Sequence, residues 1–152
     1  SLNKTGVVIQ LHIVSMFLPS LITGNLLRKY RHSKIIYAGV FFFILTILLS
    51  FLPPSFFNYL FSLVFLGIGW NFLYLSGTGL LVLSYREEEK FKAQGFNDIL
   101  VFSTQALASL SAGYMLSMTS WKTMNLIAIP FLILIVISSI RADLSKNNKI
   151  IN

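Results

Sequence analysis

The chain of 152 residues is strongly apolar: 55% of its residues are hydrophobic, only 11% are charged, and the mean hydropathy is +0.76. So few charges cannot cover the surface of a soluble domain, and polar residues are too scarce for a disordered chain. The absence of cysteine excludes disulfide scaffolds and thiolate sites, while the net charge of +7 is typical of anionic partners or of membrane orientation. The composition predicts a membrane protein with several spans.

Five apolar stretches follow one another along the chain. Four have about the 17–25 residues that cross ~30 Å of hydrocarbon, and the third is longer, so it must tilt or project from the membrane. Because backbone groups in lipid must be paired within their own segment, we expect helices, and therefore an all-α polytopic fold in a single membrane domain. The predicted helices cover approximately residues 6–27, 35–52, 56–85, 99–118 and 124–140.

Positive charges are concentrated in alternate connections. The N-terminal segment has only Lys4, the connection after the fourth helix has only Lys122, and the connection after the second has none. The positive-inside rule therefore predicts an external N-terminus and a cytoplasmic C-terminus. With an odd number of helices, this orientation leads us to expect a fragment that lacks at least one upstream helix. The cations on the predicted cytoplasmic side are Arg28, Lys29, Arg31, Lys34, Arg86, Lys90, Lys92, Arg141, Lys146 and Lys149.

His12 is the only ionisable side chain inside an apolar stretch. Ionisable residues within a membrane are candidates for function. Its place near the start of the first helix also suits a neutral imidazole that bonds a carbonyl close to the outer interface, and both interpretations stay open.

The third helix carries a polar face. Gly67, Asn71, Tyr74 and Thr78 are spaced by four, three and four residues, so they share one side of a helix. Polar groups on such a face must turn toward protein or a water-filled cavity. Asn71, Tyr74 and Thr78 are therefore candidates to line a substrate cavity, the alternative being hydrogen bonds between packed helices.

The fourth helix has a second such surface, with Gln105 and Ser109 one turn apart among small residues. This surface indicates helix packing first, and Gln105 is its candidate for cavity lining. In the preceding loop, Asn97 or Asp98 could cap the fourth helix. The glycines predicted to serve helix packing or gating are Gly24, Gly67, Gly69, Gly77 and Gly113.

No pattern typical of an enzyme was found. No carboxylate lies in a predicted span, the two histidines are too far apart to suggest a metal site, and no Gly-rich phosphate loop is present. The basic residues fall in separate loops, which disfavours nucleic-acid binding. We expect no catalysis, no cofactor and no metal.

The arrangement resembles the second half of a major facilitator superfamily transporter. The likeness is strongest to bacterial permeases of unassigned substrate. The segments that carry it are His12–Gly24, Leu66–Phe72, Gln94–Asp98 with Val101 and Phe102, and finally Trp121 and Asn125.

The end of the first helix is similar to the family's conserved cytoplasmic loop. Gly24, Arg28, Lys29 and Arg31 fall on that pattern, and Gln94, Asn97 and Asp98 belong to a second cytoplasmic loop. Arg28 occupies about the position of the usual acid, which puts an acid–base latch in doubt.

The resemblance implies that these helices are the eighth to twelfth of twelve, with the substrate site between two halves that rock to alternate access. The implied partners are the lipid bilayer, a small-molecule substrate and the missing N-terminal half. The alternative is a membrane remnant without transport activity that packs against another subunit.

Overall fold

The computed structural model describes the backbone of residues 2–151 and the side chains of residues 2–144, so the side chains of Lys146 and Lys149 lie outside the described residues. Within this part the fold is all-α, without strands, which confirms the predicted fold class. A 3-10 turn, Glu87–Glu89, precedes the fifth helix. The α-helices are α1 (Leu2–Phe17), α2 (Ser20–Lys29), α3 (His32–Leu49), α4 (Phe56–Val82), α5 (Lys90–Met118), α6 (Trp121–Leu126) and α7 (Ala128–Ile151).

Among the described residues, five helical stretches are long and apolar enough to span a membrane, which confirms the hydropathy pattern. The first combines α1 and α2, and the last combines α6 with most of α7. These stretches are Leu2–Lys29, His32–Leu49, Phe56–Val82, Glu87–Met118 and Trp121–Leu144.

The two interrupted spans break next to proline. Proline has no backbone N–H and its ring clashes with the preceding turn. Accordingly α1 ends at Phe17 and α2 begins just after Pro19, while α6 gives way to α7 at Ile127, three residues before Pro130. The hydroxyl of Thr23 donates to the Pro19 carbonyl over 2.8 Å, which ties the new helix to the break.

The start of α5 corrects the sequence prediction. This helix begins at Lys90, not near residue 99, so Gln94, Asn97 and Asp98 lie inside a helix and neither Asn97 nor Asp98 caps it. The charged residues suggested a solvated loop, but Glu, Lys, Ala and Gln are good helix formers and extend the helix outside the apolar stretch. The Gln94 amide donates to the Tyr85 hydroxyl over 2.8 Å, which fixes the turn before α5.

Helix α4 lies at the centre of the packed part of the protein. It makes its most extensive contacts with α3 and α1, while α7 packs against α3 and lies near Leu73 and Leu80 of α4. The buried apolar cluster is formed by Ile36, Val40, Ile47 and Leu132. In contrast, α5 has no buried residue and touches the neighbouring helices at only a few points.

The predicted sets of connections lie at opposite ends of the helices. At one end, Arg31 pairs with Asp143 over 3.0 Å. At the other end, Lys4 lies 5.7 Å from the ring centroid of Phe56, and Lys122 lies 4.1 Å from that of Phe51. The two Lys residues therefore lie at the end opposite the Arg31 connection.

Candidate functional site

Glycine allows α1 and α4 to approach closely. A Cβ atom at Gly67 would lie 2.8 Å from the His12 carbonyl oxygen and would also meet the Ser15 hydroxyl. At Gly69 it would lie 3.0 Å from the Gly39 carbonyl oxygen on α3. These contacts are the small-residue packing that membrane helices use in place of a hydrophobic driving force.

The other candidate glycines lie in open positions. A Cβ atom at Gly24, Gly77 or Gly113 would meet no atom of the described residues within 4 Å outside its own helix backbone. A role for these three in close helix packing is therefore not seen between the described helices.

Asn71 lies at the contact between α4 and the break in the first span. Its amide nitrogen donates to the Met16 carbonyl over 2.8 Å. Its carbonyl oxygen lies 2.9 Å from the Thr23 hydroxyl, whose single proton is shared between this oxygen and the Pro19 carbonyl. Asn71 is 2% exposed and Thr23 is fully buried. Carbonyls next to a helix break need partners in an apolar medium, and Asn71 supplies one.

Thr23 was not singled out by its sequence. It follows Pro19 by four residues, the spacing at which a Thr hydroxyl can reach the carbonyl of the preceding turn. That spacing after a mid-span proline is the signal that could have found it.

His12 also bridges α1 and α4. Its ring nitrogen Nδ1 lies 2.7 Å from the Leu63 carbonyl oxygen. Because a carbonyl only accepts, Nδ1 is the donor in this bond. The Ser15 hydroxyl donates to the His12 carbonyl over 2.7 Å, and both groups lie against Gly67.

Four aromatic rings form a row across α1, α4 and α5. Trp70 and Tyr74 stack with centroids 4.8 Å apart and planes at 9°. Phe17 meets the edge of Trp70 at 6.3 Å, and Phe102 lies 6.5 Å from Tyr74. The ends of this row, Phe17 and Phe102, are 60% and 53% exposed. Stacked and edge-to-face pairs at these distances are favourable for aromatic rings.

The row brings the α4 candidates near those on α5. Tyr74 and Thr78 are half-buried, whereas Gln105 is exposed one turn after Phe102. The structure thus separates the sequence candidates: Asn71 and His12 join α1 to α4, while Tyr74, Thr78 and Gln105 lie on the α4 and α5 surfaces.

The candidates in the charged connections lie at the Arg31 end. Arg31 is fixed by Asp143, while Arg28 and Lys29 are exposed. Lys29 lies 5.5 Å from the ring centroid of Tyr30. Gln94 bonds Tyr85 across the turn before α5, and the Asn97 amide lies 3.4 Å from the Asp98 carboxylate within the first turns of that helix.

Among the described residues, five helical stretches are long and apolar enough to span a membrane, and the first three are joined by glycine contacts and by hydrogen bonds of the buried Asn71 amide. These features define a polytopic α-helical integral membrane protein. The sequence pattern of the Major Facilitator Superfamily matches residues 1–149. The chain therefore belongs to the Major Facilitator Superfamily, with a partial fold of that family.

Curated relatives match most of this chain. The riboflavin transporter RfnT of Brucella anthropi is 32% identical over 137 residues, which cover 90% of this chain and 34% of the relative. The uncharacterized MFS-type transporters YdeG and YddS of Bacillus subtilis are 34% and 32% identical; the matches cover 83% and 82% of this chain and 30% and 29% of those proteins. The chain thus spans about a third of the length of these relatives. No solved structure matches.

Proposed function

We propose that this chain is part of a secondary transporter that moves a small solute across the bacterial cytoplasmic membrane by alternating access. Membership of the family and a relative named as a riboflavin transporter support this function. The observation that carries it is the surface between α4 and α5, where stacked rings and an exposed amide lie at mid-span. Binding sites in this type of protein lie near the midplane, between repeats that move against each other.

In this proposal Tyr74, Thr78 and Gln105 contact the solute, whereas Asn71 and His12 keep α1 and α4 together. Stacked rings suit a flat solute, and hydroxyl and amide groups would fix its orientation. Riboflavin is the first solute to test, because the substrate of one relative is a flat ring system.

The proposed orientation places the Lys4 end outside and the Arg31 end in the cytoplasm, following the charge distribution. In this proposal the other side of the solute pathway comes from an N-terminal half of the kind that the family resemblance implies. The exposed surface of α5 is where such a partner or a water-filled pathway could meet this chain.

Uptake of radiolabelled riboflavin by cells that express the full-length protein tests this function. Removing a contact made to the moving solute should reduce uptake about tenfold, the effect of losing ~1.4 kcal/mol of interaction. We expect this loss for Tyr74→Leu and for Gln105→Ala at unchanged membrane levels.

Ser111→Ala is the matched control, since Ser111 lies on another side of α5 and its hydroxyl bonds the Ala108 carbonyl of its own helix. Normal uptake in both site variants would reject the site assignment, and an equal loss in the Ser111 variant would show that the assay reports damage to α5 instead.

A further inference from the structure

A cavity of about 510 Å³ lies at the Lys4 end of the protein, between α1, α4, α5 and α6. We call it the Lys4 cavity; its walls include Lys4, Val8, Tyr59, Leu116 and Trp121. Its volume is within the range of about 300–1,000 Å³ typical of small-molecule sites. It is separate from the mid-span surface proposed to contact the solute during transport.

The chemistry of its walls is aromatic with a single cation. Tyr59 and Trp121 meet edge to face, with centroids 5.6 Å apart and planes at 69°. The Lys4 ammonium lies 5.7 Å from the ring centroid of Phe56, which is also part of the wall. No acidic residue is among those that line the cavity, so the Lys4 charge is not neutralised there.

The cavity and the row of four aromatic rings lie along the same face of α4. Tyr59, Leu63, Trp70 and Tyr74 fall on one face of α4, and Tyr59 precedes Trp70 by eleven residues, or about 16 Å along the helix. Rings therefore lie at both ends of this α4 face, at the cavity and at mid-span.

The face of α5 that turns toward α4 carries only short side chains between the mid-span rings and the Lys4 cavity. Phe102 contacts Tyr74, and Leu116 lines the cavity, so both point toward α4. Ala106, Ser109 and Gly113 lie between them at alternating spacings of four and three residues, hence on the same face. Their side chains are short, and nothing of the described residues lies within 4 Å of a Cβ built at Gly113 outside its own helix backbone.

The geometry points to the Lys4 cavity as a second binding site for flat aromatic solutes that carry an anionic group. The rings of Tyr59 and Trp121 hold the flat part, and Lys4 pairs with the anion. The inference rests on the proposed transport function for its role, as the place where a solute waits before it reaches Trp70 and Tyr74. Binding itself does not depend on transport.

Fluorescence of Trp121 measures binding directly. The chain has two tryptophans, so Trp70→Phe leaves Trp121 alone in this sequence. The protein, in full-length form, is placed in phosphatidylcholine nanodiscs and titrated with naphthalene-2-sulfonate, with neutral 2-naphthol, and with cyclohexanesulfonate as a competitor that has the charge but no flat ring. Any other tryptophan of the protein is replaced by Phe in every sample.

We expect saturable quenching of Trp121 by both naphthalene probes and weak competition by cyclohexanesulfonate. Lys4→Gln should weaken binding of the sulfonate about three- to fivefold, as expected for one partly solvated ion pair, and leave 2-naphthol unchanged. Lys122→Gln is the matched control, because Lys122 lies at the same end over Phe51 and does not line the cavity.

Quenching that never saturates would overturn the proposal, since Tyr59 and Trp121 would then serve only as anchors at the membrane interface. Equal effects of Lys4→Gln and Lys122→Gln would overturn it as well, as would equal binding of cyclohexanesulfonate. Riboflavin uptake is measured on the protein that keeps Trp70, without substitution and with Lys4→Gln or Lys122→Gln. Saturable binding of the probes without uptake by the unsubstituted protein rejects the transport function and keeps the site, and uptake without saturable binding rejects the site alone.

Discussion

Helices α4 and α5 are of similar length, with 27 and 29 residues, and both carry small and polar residues inside the membrane. Helix α4 buries several of its polar groups against α1, α2 and α3. Asn71 bonds Met16 and lies within hydrogen-bond distance of Thr23, and Ser62 is fully buried beside Thr46. Helix α5 buries none of its residues. The comparison shows that the same residue types can join two helices or face an open groove, depending on what lies opposite.

The largest effect should come from a methyl group added at the α1–α4 contact. In Gly67→Ala the new Cβ would lie 2.8 Å from the His12 carbonyl oxygen, which is too close for backbone to accommodate without movement. We expect a loss of about 1–3 kcal/mol of stability although Ala favours helix by ~1 kcal/mol over Gly. Thermal denaturation of the purified protein measures this.

The matched variant is Gly77→Ala, in which the Cβ meets nothing described within 4 Å outside its own helix backbone. It should be neutral or stabilising, since only the helix propensity changes. If Gly67→Ala and Gly77→Ala change the melting temperature equally, α1 and α4 do not approach each other as closely at Gly67 as the structure shows.

A smaller loss is expected from Asn71→Leu. This change leaves the Met16 carbonyl and the Thr23 hydroxyl without their α4 partner, at a cost of about 1–2 kcal/mol. Gln105→Leu removes an amide of the same kind from the exposed face of α5 and should leave the melting temperature unchanged. Equal losses would mean that α5 is as tightly packed as α4, which would remove the contrast between the two helices.

Single cysteines can report how far water reaches the two helices, because the sequence contains no cysteine. Ser109→Cys lies on the exposed α5 face between Phe102 and Leu116, whereas Ser62→Cys lies on α4 at a fully buried position. Thiols react as thiolates, which need water. We expect a water-soluble maleimide to label Ser109→Cys about tenfold faster or more, and mass spectrometry of labelled protein reads the rates. Equal, slow labelling would show that the α5 face is covered.

The smallest effect concerns the ion pair between the first and last spans. Arg31 and Asp143 are 48% and 32% exposed, and a solvated pair of this kind contributes about 0.2–1 kcal/mol. Arg31→Ala should therefore lower the melting temperature slightly, and less at high salt, while Lys29→Ala should not. A large change in the Arg31 variant would mean that this connection stabilises the bundle more than its exposure suggests.

The number of spans, the all-α class and the family could be read from the sequence. Hydropathy predicted the spans because each residue's transfer into lipid depends mostly on its own side chain. The start of α5 at Lys90 was missed, since hydropathy marks the end of the apolar stretch and not the end of the helix. The sequence also placed Asn71, Tyr74 and Thr78 on one face, but could not show that Asn71 bonds across to α1 while Tyr74 stacks on Trp70.

Composition and hydropathy alone place this protein in a membrane, and the described residues have five helical stretches that are long and apolar enough to span it, with positive charges mainly in alternate connections. Which helices pair can be seen only in the folded protein, because lipid is as apolar as the helix surfaces and gives no preference between partners. Pairing is set by where backbones can approach and where polar groups find partners, as at Gly67 and Asn71. Those contacts connect residues about 50 positions apart and appear only once the helices lie side by side.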